Sequence, residues 1–187
     1  MRRVLIIEDD LDLLKKLQQD FQQDNIEVIG CGNNTLAMQA IANGSCFDAV
    51  ILDWYFESPE GDPDIISRTL LAKLKENHFR PVFVYTYNIT DFNEANGSGV
   101  IFPQNLLRAF DKSSVTISAL KTEITQMLNN NLSLQLASAY RGKIGNNLEK
   151  VLFELNELPN SDIARILKVI VGESENIDWS SDFVLNL

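Results

Sequence analysis

Two short apolar segments of this chain each end in carboxylic acids. The segment Val4–Ile7 is followed by Glu8-Asp9-Asp10, and Ala49–Leu52 is followed by Asp53. Apolar runs of this length predict buried strands, so each acidic group would lie where a strand ends, at the rim of a sheet. If the two strands are parallel, these ends meet at the same edge. The pattern predicts one acidic site that can bind a hard cation and present a carboxylate nucleophile.

Strand and helix patterns alternate over the first two-thirds of the chain. The predicted strands are Val4–Ile7, Ile26–Ile29, Ala49–Asp53, Pro81–Thr86 and Leu106–Asp111. The predicted helices are Leu11–Phe21, Thr35–Ala42, Asp64–Glu76 and Val115–Leu128, whereas Asn88–Gln104 shows no clear helical period. Repeated β-α units of this kind predict an α/β fold with a doubly wound, five-stranded parallel sheet.

Capping residues support three of the predicted helices. Asp9 or Asp10 can cap the first, Asn33 or Asn34 the second, and Ser113 or Ser114 the helix from Val115. Beyond about residue 129 the apolar pattern is helical and contains no strands, with stripes such as Leu148–Leu155 and Ile163–Val171. We therefore expect an α/β domain over residues 1–128 and an α-helical extension over residues 129–187.

Charge and composition narrow the classes of partner. The net charge is −10, and neither half of the chain, divided at Lys112, is basic, which argues against DNA binding. No apolar stretch approaches the roughly 20 residues that cross a bilayer, and the N-terminus becomes acidic at Glu8, unlike a signal peptide. Cys31 and Cys46 lack metal-site spacing and do not form a disulfide framework, which favours reduced thiols in the cytoplasm.

Acidic and basic residues at the predicted strand ends resemble those of a known family. Glu8-Asp9-Asp10, Asp53, Thr86 and Lys112, in this order, resemble the receiver domain of bacterial response regulators, over about residues 2–128. The resemblance implies a flavodoxin-like fold and a two-component signalling protein that is not an enzyme beyond handling its own phosphoryl group. It also implies Mg²⁺ as cofactor and a sensor histidine kinase or phosphotransfer protein as partner.

The same resemblance assigns a role to each matching residue. Asp53 would accept the phosphoryl group, Thr86 would turn its hydroxyl toward that group, and Lys112 would pair with a phosphoryl oxygen. Magnesium would be held by Glu8, Asp9, Asp53 and the backbone carbonyl of Tyr55, with Asp9 favoured over Glu8 as the direct ligand. Asp10 is a third acid or a helix cap.

Simpler interpretations of these residues stay open at this stage. Glu8-Asp9-Asp10 can be an acidic helix N-terminus favoured by the helix dipole, and Asp53 a solvated acid at a strand end. Thr86 can be an ordinary β-branched strand residue, and Lys112 a surface lysine.

Several positions depart from the family pattern and open a second function. Tyr87 stands where a small residue usually follows the threonine, Ser113 where proline follows the lysine, and Ala109 at the position of the switch aromatic residue. Phe110, one residue along, would point to the opposite face of the sheet. These departures favour, as the alternative, a receiver-like binding module that no longer switches on phosphorylation.

Two further possibilities concern chemistry and assembly. Haloacid-dehalogenase-like phosphatases, which use an aspartate nucleophile, place a second Asp two residues after it, and Tyr55 occupies that position here, which disfavours this activity. The helix from Val115, or the extension, offers a surface for a homodimer.

Overall fold

A computed structural model describes most of the first 132 residues and a few beyond them. The described residues are 2–42, 47–56, 62–77, 80–97, 102, 104–132, 134–135, 159, 161–163 and 165. The chain divides into two units, Met1–Ile124 and Thr125–Leu187. The predicted boundary between residues 128 and 129 stays a prediction. Most of the predicted helical extension lies outside the described residues.

Strands and helices alternate from Arg3 to Asn130. The strands are β1 (Arg3–Ile7), β2 (Glu27–Cys31), β3 (Ala49–Leu52), β4 (Val82–Thr86) and β5 (Leu107–Asp111). The helices are α1 (Leu11–Gln23), α2 (Asn34–Ala42), α3 (Pro63–Asn77), α4 (Ile89–Gly97) and α5 (Ile117–Asn130), with a single 3-10 turn at Gln104–Leu106.

The five strands form one parallel sheet in the order β2-β1-β3-β4-β5. The chain order reverses between β1 and β3, which is the switch point of a doubly wound sheet. Right-handed crossovers then place helices on both faces of the sheet. This topology confirms the predicted α/β fold with a doubly wound, five-stranded parallel sheet.

Burial explains why the central strands are recognisable in the sequence. Every residue of β3 and β4 is buried, as is most of β1. Strands that are covered on both faces consist of continuous apolar residues instead of alternating ones. The ammonium of Lys121 in α5 bonds the carboxylate of Asp24, the C-cap of α1, at 2.8 Å.

Two predictions about the helices are wrong. The segment predicted to lack a helical period contains α4, a short helix that buries only Phe92 and Ala95. The cap of α5 is Thr116, whose hydroxyl accepts a hydrogen bond from Ala119 N at 3.2 Å. Ser113 and Ser114 instead bond Asp111 and lie in the turn before the helix.

The other predicted caps agree with the structure, one from each pair of alternatives. Asp10 caps α1, and the side chain of Asn33 accepts from Leu36 N at 2.9 Å at the start of α2. Within the described part of the chain, no helix is both long enough and apolar enough to span a membrane.

Candidate functional site

Adjacent strands bring the two acidic segments together. Strands β1 and β3 are neighbours in register, with Ile7 opposite Leu52, and Asp53 N donates to the carbonyl of Ile7 at 2.9 Å. The residues that follow these strands, Glu8 and Asp53, are therefore side by side at the carboxyl edge of the sheet. One carboxylate oxygen from each of Glu8, Asp9 and Asp53 lies within 4.8 Å of the others.

Lys112 brings a positive charge to this cluster from β5. Its backbone N–H donates to the carbonyl of Thr86 at 3.0 Å, which continues the pairing between β4 and β5 beyond the strand ends. Its ammonium lies 2.5 Å from an oxygen of Asp53 and 2.7 Å from an oxygen of Glu8. The side chain of Lys112 is only 3% exposed, so both ion pairs are largely shielded from water.

Burial and charge shift the protonation of this cluster. Burial, followed by the negative charge of Asp53, raises the pKa of Glu8 to about 8, although Lys112 opposes the change. Burial disfavours the charged form of Lys112, but the carboxylates of Asp53 and Glu8 outweigh it and raise the pKa of the ammonium. In the metal-free protein the fixed positive charge of Lys112 therefore lies beside a carboxyl group, Glu8, that releases its proton only near pH 8.

The structure distinguishes the roles of the two residues after Glu8. The carboxylate of Asp10 accepts from Asp12 N at 3.0 Å and from Leu13 N at 3.1 Å, so Asp10 is the N-cap of α1. Asp9 belongs instead to the carboxylate cluster. Asp10 N also donates to a Glu8 oxygen at 3.3 Å, which ties the start of α1 to the site.

Thr86 and Tyr55 complete the surroundings of Asp53: Thr86 ends β4, the strand next to β3, and Tyr55 lies in the turn two residues after Asp53. Thr86 is fully buried at the end of β4, and its hydroxyl accepts from Asn88 N at 3.1 Å. Tyr55 N donates to an Asp53 oxygen at 3.2 Å, while its ring is exposed. The backbone after β3 therefore turns over the carboxylate of Asp53 and orients one of its two oxygens.

The departures from the family pattern have distinct surroundings. Ala109 lies in register with Val84, whereas Phe110 lies in register with Tyr85 and stacks against Phe83 with 6.3 Å between ring centroids. Paired residues of a sheet share a face, and neighbours along a strand alternate. Phe110 is therefore on the face opposite Ala109 and Thr86.

Two aromatic residues next to the site were not assigned a role from the sequence. The buried ring of Tyr85 lies 5.9 Å from the Lys112 ammonium, and its hydroxyl donates to the carbonyl of Val115 at 2.9 Å. Trp54 directly follows Asp53 and is 1% exposed. The available sequence signal was position alone, because both residues flank a candidate site residue.

The donor atoms of the cluster suit a hard divalent cation. Three carboxylates converge, while one ammonium is the positive group that the described residues bring to them. Mg²⁺ prefers oxygen ligands and retains several waters, so one or two carboxylates are sufficient to bind it. The arrangement fits magnesium in both charge and ligand type.

Comparison with known proteins gives a clear result for the fold alone. No protein-family model matches this sequence, and no curated protein sequence matches it. The receiver domain of Francisella response regulator 1452 matches at a TM-score of 0.54 and 20% identity, covering 68% of this chain and 96% of its own. Response regulator TrrA from Thermotoga maritima, solved with Mg²⁺ and BeF, matches at 0.52 and 18%, covering 68% and 100%.

A third solved structure carries a different description. It is an adenylate cyclase from Rhodopirellula baltica, with a TM-score of 0.55, 21% identity and coverage of 74% of this chain and 93% of its own. One fold can serve different functions. The chain has the fold of response-regulator receiver domains, and its function has to be argued from the site.

Proposed function

We propose that this protein is a cytoplasmic response-regulator receiver that accepts a phosphoryl group on Asp53. The supporting observation is the position of the Asp53 carboxylate, which lies beside the carboxylates of Glu8 and Asp9 and within ion-pair distance of the ammonium of Lys112. Phosphoryl transfer depends mainly on positioning and charge neutralisation, and this site supplies groups for both. The phosphoryl donor is the phosphohistidine of a sensor kinase or phosphotransfer protein.

The reaction exchanges one bond to phosphorus for another. A carboxylate oxygen of Asp53 forms the new O–P bond while the P–N bond of the phosphohistidine breaks, and the bonding electrons return to the imidazole nitrogen. Lys112 is already within ion-pair distance of Asp53 and is placed to bind a phosphoryl oxygen. Thr86, fixed beside Asn88 at the end of β4, supplies a hydroxyl for a second oxygen.

Magnesium is the cofactor that we assign to this site. Glu8, Asp9, Asp53 and the backbone carbonyl of Tyr55 would hold it, with Asp9 as the preferred side-chain ligand. When bound, Mg²⁺ neutralises charge on the transferring phosphoryl group.

The surface around the site supports a protein as the phosphoryl donor. The large apolar side chains that are exposed among the described residues are Leu11, Leu36, Tyr55, Ile65 and Tyr87. Each follows the carboxyl end of one of the strands β1 to β4, on the edge that carries Asp53. Exposed apolar residues that form a contiguous patch are typical of protein contacts. The edge that carries these residues also carries the acidic centre, and a protein with a phosphohistidine would approach it there.

The direct test is intact mass after treatment with a small acyl phosphate donor and Mg²⁺. We expect the added mass of one phosphoryl group, absent in Asp53→Asn and absent when Mg²⁺ is removed by a chelator. The Asp10→Asn variant is the matched control, because it changes a neighbouring acid while retaining a capping side chain. No adduct on the wild type, or the same adduct on Asp53→Asn, would contradict the proposed function.

A second candidate function is a binding module that no longer switches. It is favoured by Phe110, which packs on the face opposite Thr86, and by Ala109, which leaves the Thr86 face of β5 without an aromatic ring. In this case, partner binding does not depend on phosphorylation. A tenfold change in partner affinity on phosphorylation, about 1.4 kcal/mol, would exclude the binding module.

A further inference from the structure

Tyr87 lies at the mouth of the candidate site and has no role in the chemistry described above. It follows Thr86 at the end of β4, and its side chain is 67% exposed. Its ring centroid nevertheless lies 5.4 Å from the ammonium of Lys112. One side of an exposed tyrosine is therefore in contact range of a cation that is almost entirely hidden from water.

Lys112 is enclosed by two kinds of neighbour. The carboxylates of Asp53 and Glu8 bond its ammonium, and the rings of Tyr85 and Tyr87 both lie within 6 Å of it. An ammonium is attracted to the face of an aromatic ring at this distance. The carboxylates alone would leave part of the ammonium uncovered. The two rings cover this part, so that carboxylates and rings together form a shell around the charge.

The two tyrosines differ in how firmly they are held. Tyr85 is buried, and its hydroxyl is anchored on the carbonyl of Val115. Tyr87 is exposed at the surface and lines a cavity of about 430 Å³, whose lining also includes Lys112, Tyr85 and Lys16. Tyr87 is thus the part of the shell that can turn aside and open the ammonium of Lys112 to water.

We propose that Tyr87 is a positioning residue whose ring covers Lys112 and thereby prolongs the phosphorylated state of Asp53. This role rests on the proposed function, because the group whose lifetime it controls is the phosphoryl group on Asp53. With the ring in place, Lys112 stays directed at Asp53 and water has restricted access to the site. Without the ring, the ammonium is open to water and the acyl phosphate is hydrolysed faster.

The cover itself is tested by proton exchange at Lys112. The exchange of its ammonium protons with water is followed by nitrogen-15 NMR in metal-free protein, with Lys112→Met identifying the resonance. We expect Tyr87→Ala to speed exchange about fivefold or more, the change expected when a contact of this kind is lost. Tyr87→Phe retains the ring and should exchange like the wild type. Lys75→Ala, a change of an exposed residue in the last turn of α3 that has no role in the site, should do so too.

The lifetime of phosphorylated Asp53 is then measured in the same variants by intact mass over time. We expect Tyr87→Ala to lose the phosphoryl group about fivefold faster, and Tyr87→Phe and Lys75→Ala to match the wild type. Unchanged exchange at Lys112 in Tyr87→Ala would overturn the cover, whether or not Asp53 is phosphorylated. Faster exchange with an unchanged lifetime would overturn the effect on the phosphorylated state. A wild type that takes up no phosphoryl group contradicts the proposed function, while the exchange data still decide the cover.

Discussion

The indole of Trp54 meets the ring of Phe92 edge-on, with 5.1 Å between the ring centroids. Trp54 directly follows Asp53, whereas Phe92 is one of the two buried residues of α4. Edge-to-face pairs of this kind are favourable and depend on geometry. Through this contact, the residue after the phosphoacceptor candidate is linked to α4, the helix that follows β4.

Trp54 should report occupancy of the site through its fluorescence. In a Trp179→Phe background, which leaves Trp54 as the single tryptophan of the sequence, we expect Mg²⁺ with beryllofluoride to change the emission in a saturable way. The physical reason is that the ligand brings a new charged group next to Asp53, the residue that directly precedes Trp54. The emission titration is run on this protein with and without the Asp53→Asn substitution, and the response should disappear in the substituted protein. A wild type that is phosphorylated without any emission change would contradict this link.

Removing Lys112 should lower the free energy of unfolding more than removing the charge of Asp53 does. Lys112→Met leaves Glu8 and Asp53 buried without their cation, and breaking a buried pair in this way costs about 3–5 kcal/mol. Asp53→Asn leaves Lys112 paired with Glu8 and removes the repulsion between the two carboxylates, so it should cost less. Urea unfolding in a chelator measures both free energies of unfolding. Equal losses in the free energy of unfolding of the two variants would contradict the inference that Lys112 stabilises both buried carboxylates.

Magnesium should compensate in part for the loss of Lys112. A bound divalent cation neutralises the same carboxylates, and a ligand that binds only the folded state stabilises it. Repeating the urea unfolding of Lys112→Met with excess Mg²⁺ should therefore recover part of the lost free energy. Asp53→Asn, with one carboxylate fewer, should gain less from Mg²⁺ than the wild type does.

The strands were predictable because strands that are buried on both faces have a continuous apolar composition. Segments such as Val4–Ile7 and Ala49–Leu52 are covered on both faces, and only continuous apolar residues satisfy that environment. Once the strands are parallel, their carboxyl ends meet, so the proximity of Asp53 to the acids after β1 followed from the sequence. Helix α4 was not predictable, since its nine residues bury only Phe92 and Ala95 and give too short a pattern.

The contacts inside the site depend on geometry that a sequence pattern does not contain. Three consecutive acids follow β1, and nothing in their order shows that Glu8 turns toward Lys112 while Asp10 turns toward the N-terminus of α1. The ring of Tyr87 over Lys112 is a contact between two strand ends that are 25 residues apart in sequence. Such contacts require the register of β4 on β5, which the apolar runs leave open.

The metal-free protein should lose stability as the pH rises through neutrality. The folded state raises the pKa of Glu8 from its ordinary value of 4.5 to about 8, so it retains a proton that the unfolded chain has already released. Stability therefore falls as the pH rises from about 4.5 and levels off above about 8. Between pH 6 and pH 8 the loss should be about 2 kcal/mol.

Urea unfolding at the two pH values, in a chelator, measures this loss. Glu8→Gln cannot release the proton, so the difference between wild type and Glu8→Gln isolates the contribution of this one carboxyl. A pH dependence that is the same in both proteins would assign the effect to other groups. Saturating Mg²⁺ favours the charged carboxylates and should reduce the pH dependence of the wild type.

Substitution of Asp10 should lower stability with little effect on magnesium binding, whereas substitution of Asp9 should weaken magnesium binding with little effect on stability. Asp10 caps α1 through the N–H groups of Asp12 and Leu13, and loss of such a cap costs about 1 kcal/mol. Asp10→Ala should therefore lower the free energy of unfolding with little effect on Mg²⁺ affinity, while Asp10→Asn, which can still cap, should retain most of the stability. Asp9→Asn removes a member of the carboxylate cluster and should weaken Mg²⁺ binding about tenfold or more, about 1.4 kcal/mol, with little loss of stability. Calorimetric Mg²⁺ titration and urea unfolding of the three variants separate the two roles. A loss of Mg²⁺ affinity in Asp10→Asn as large as that in Asp9→Asn would mean that Asp10 leaves the helix cap to bind the cation.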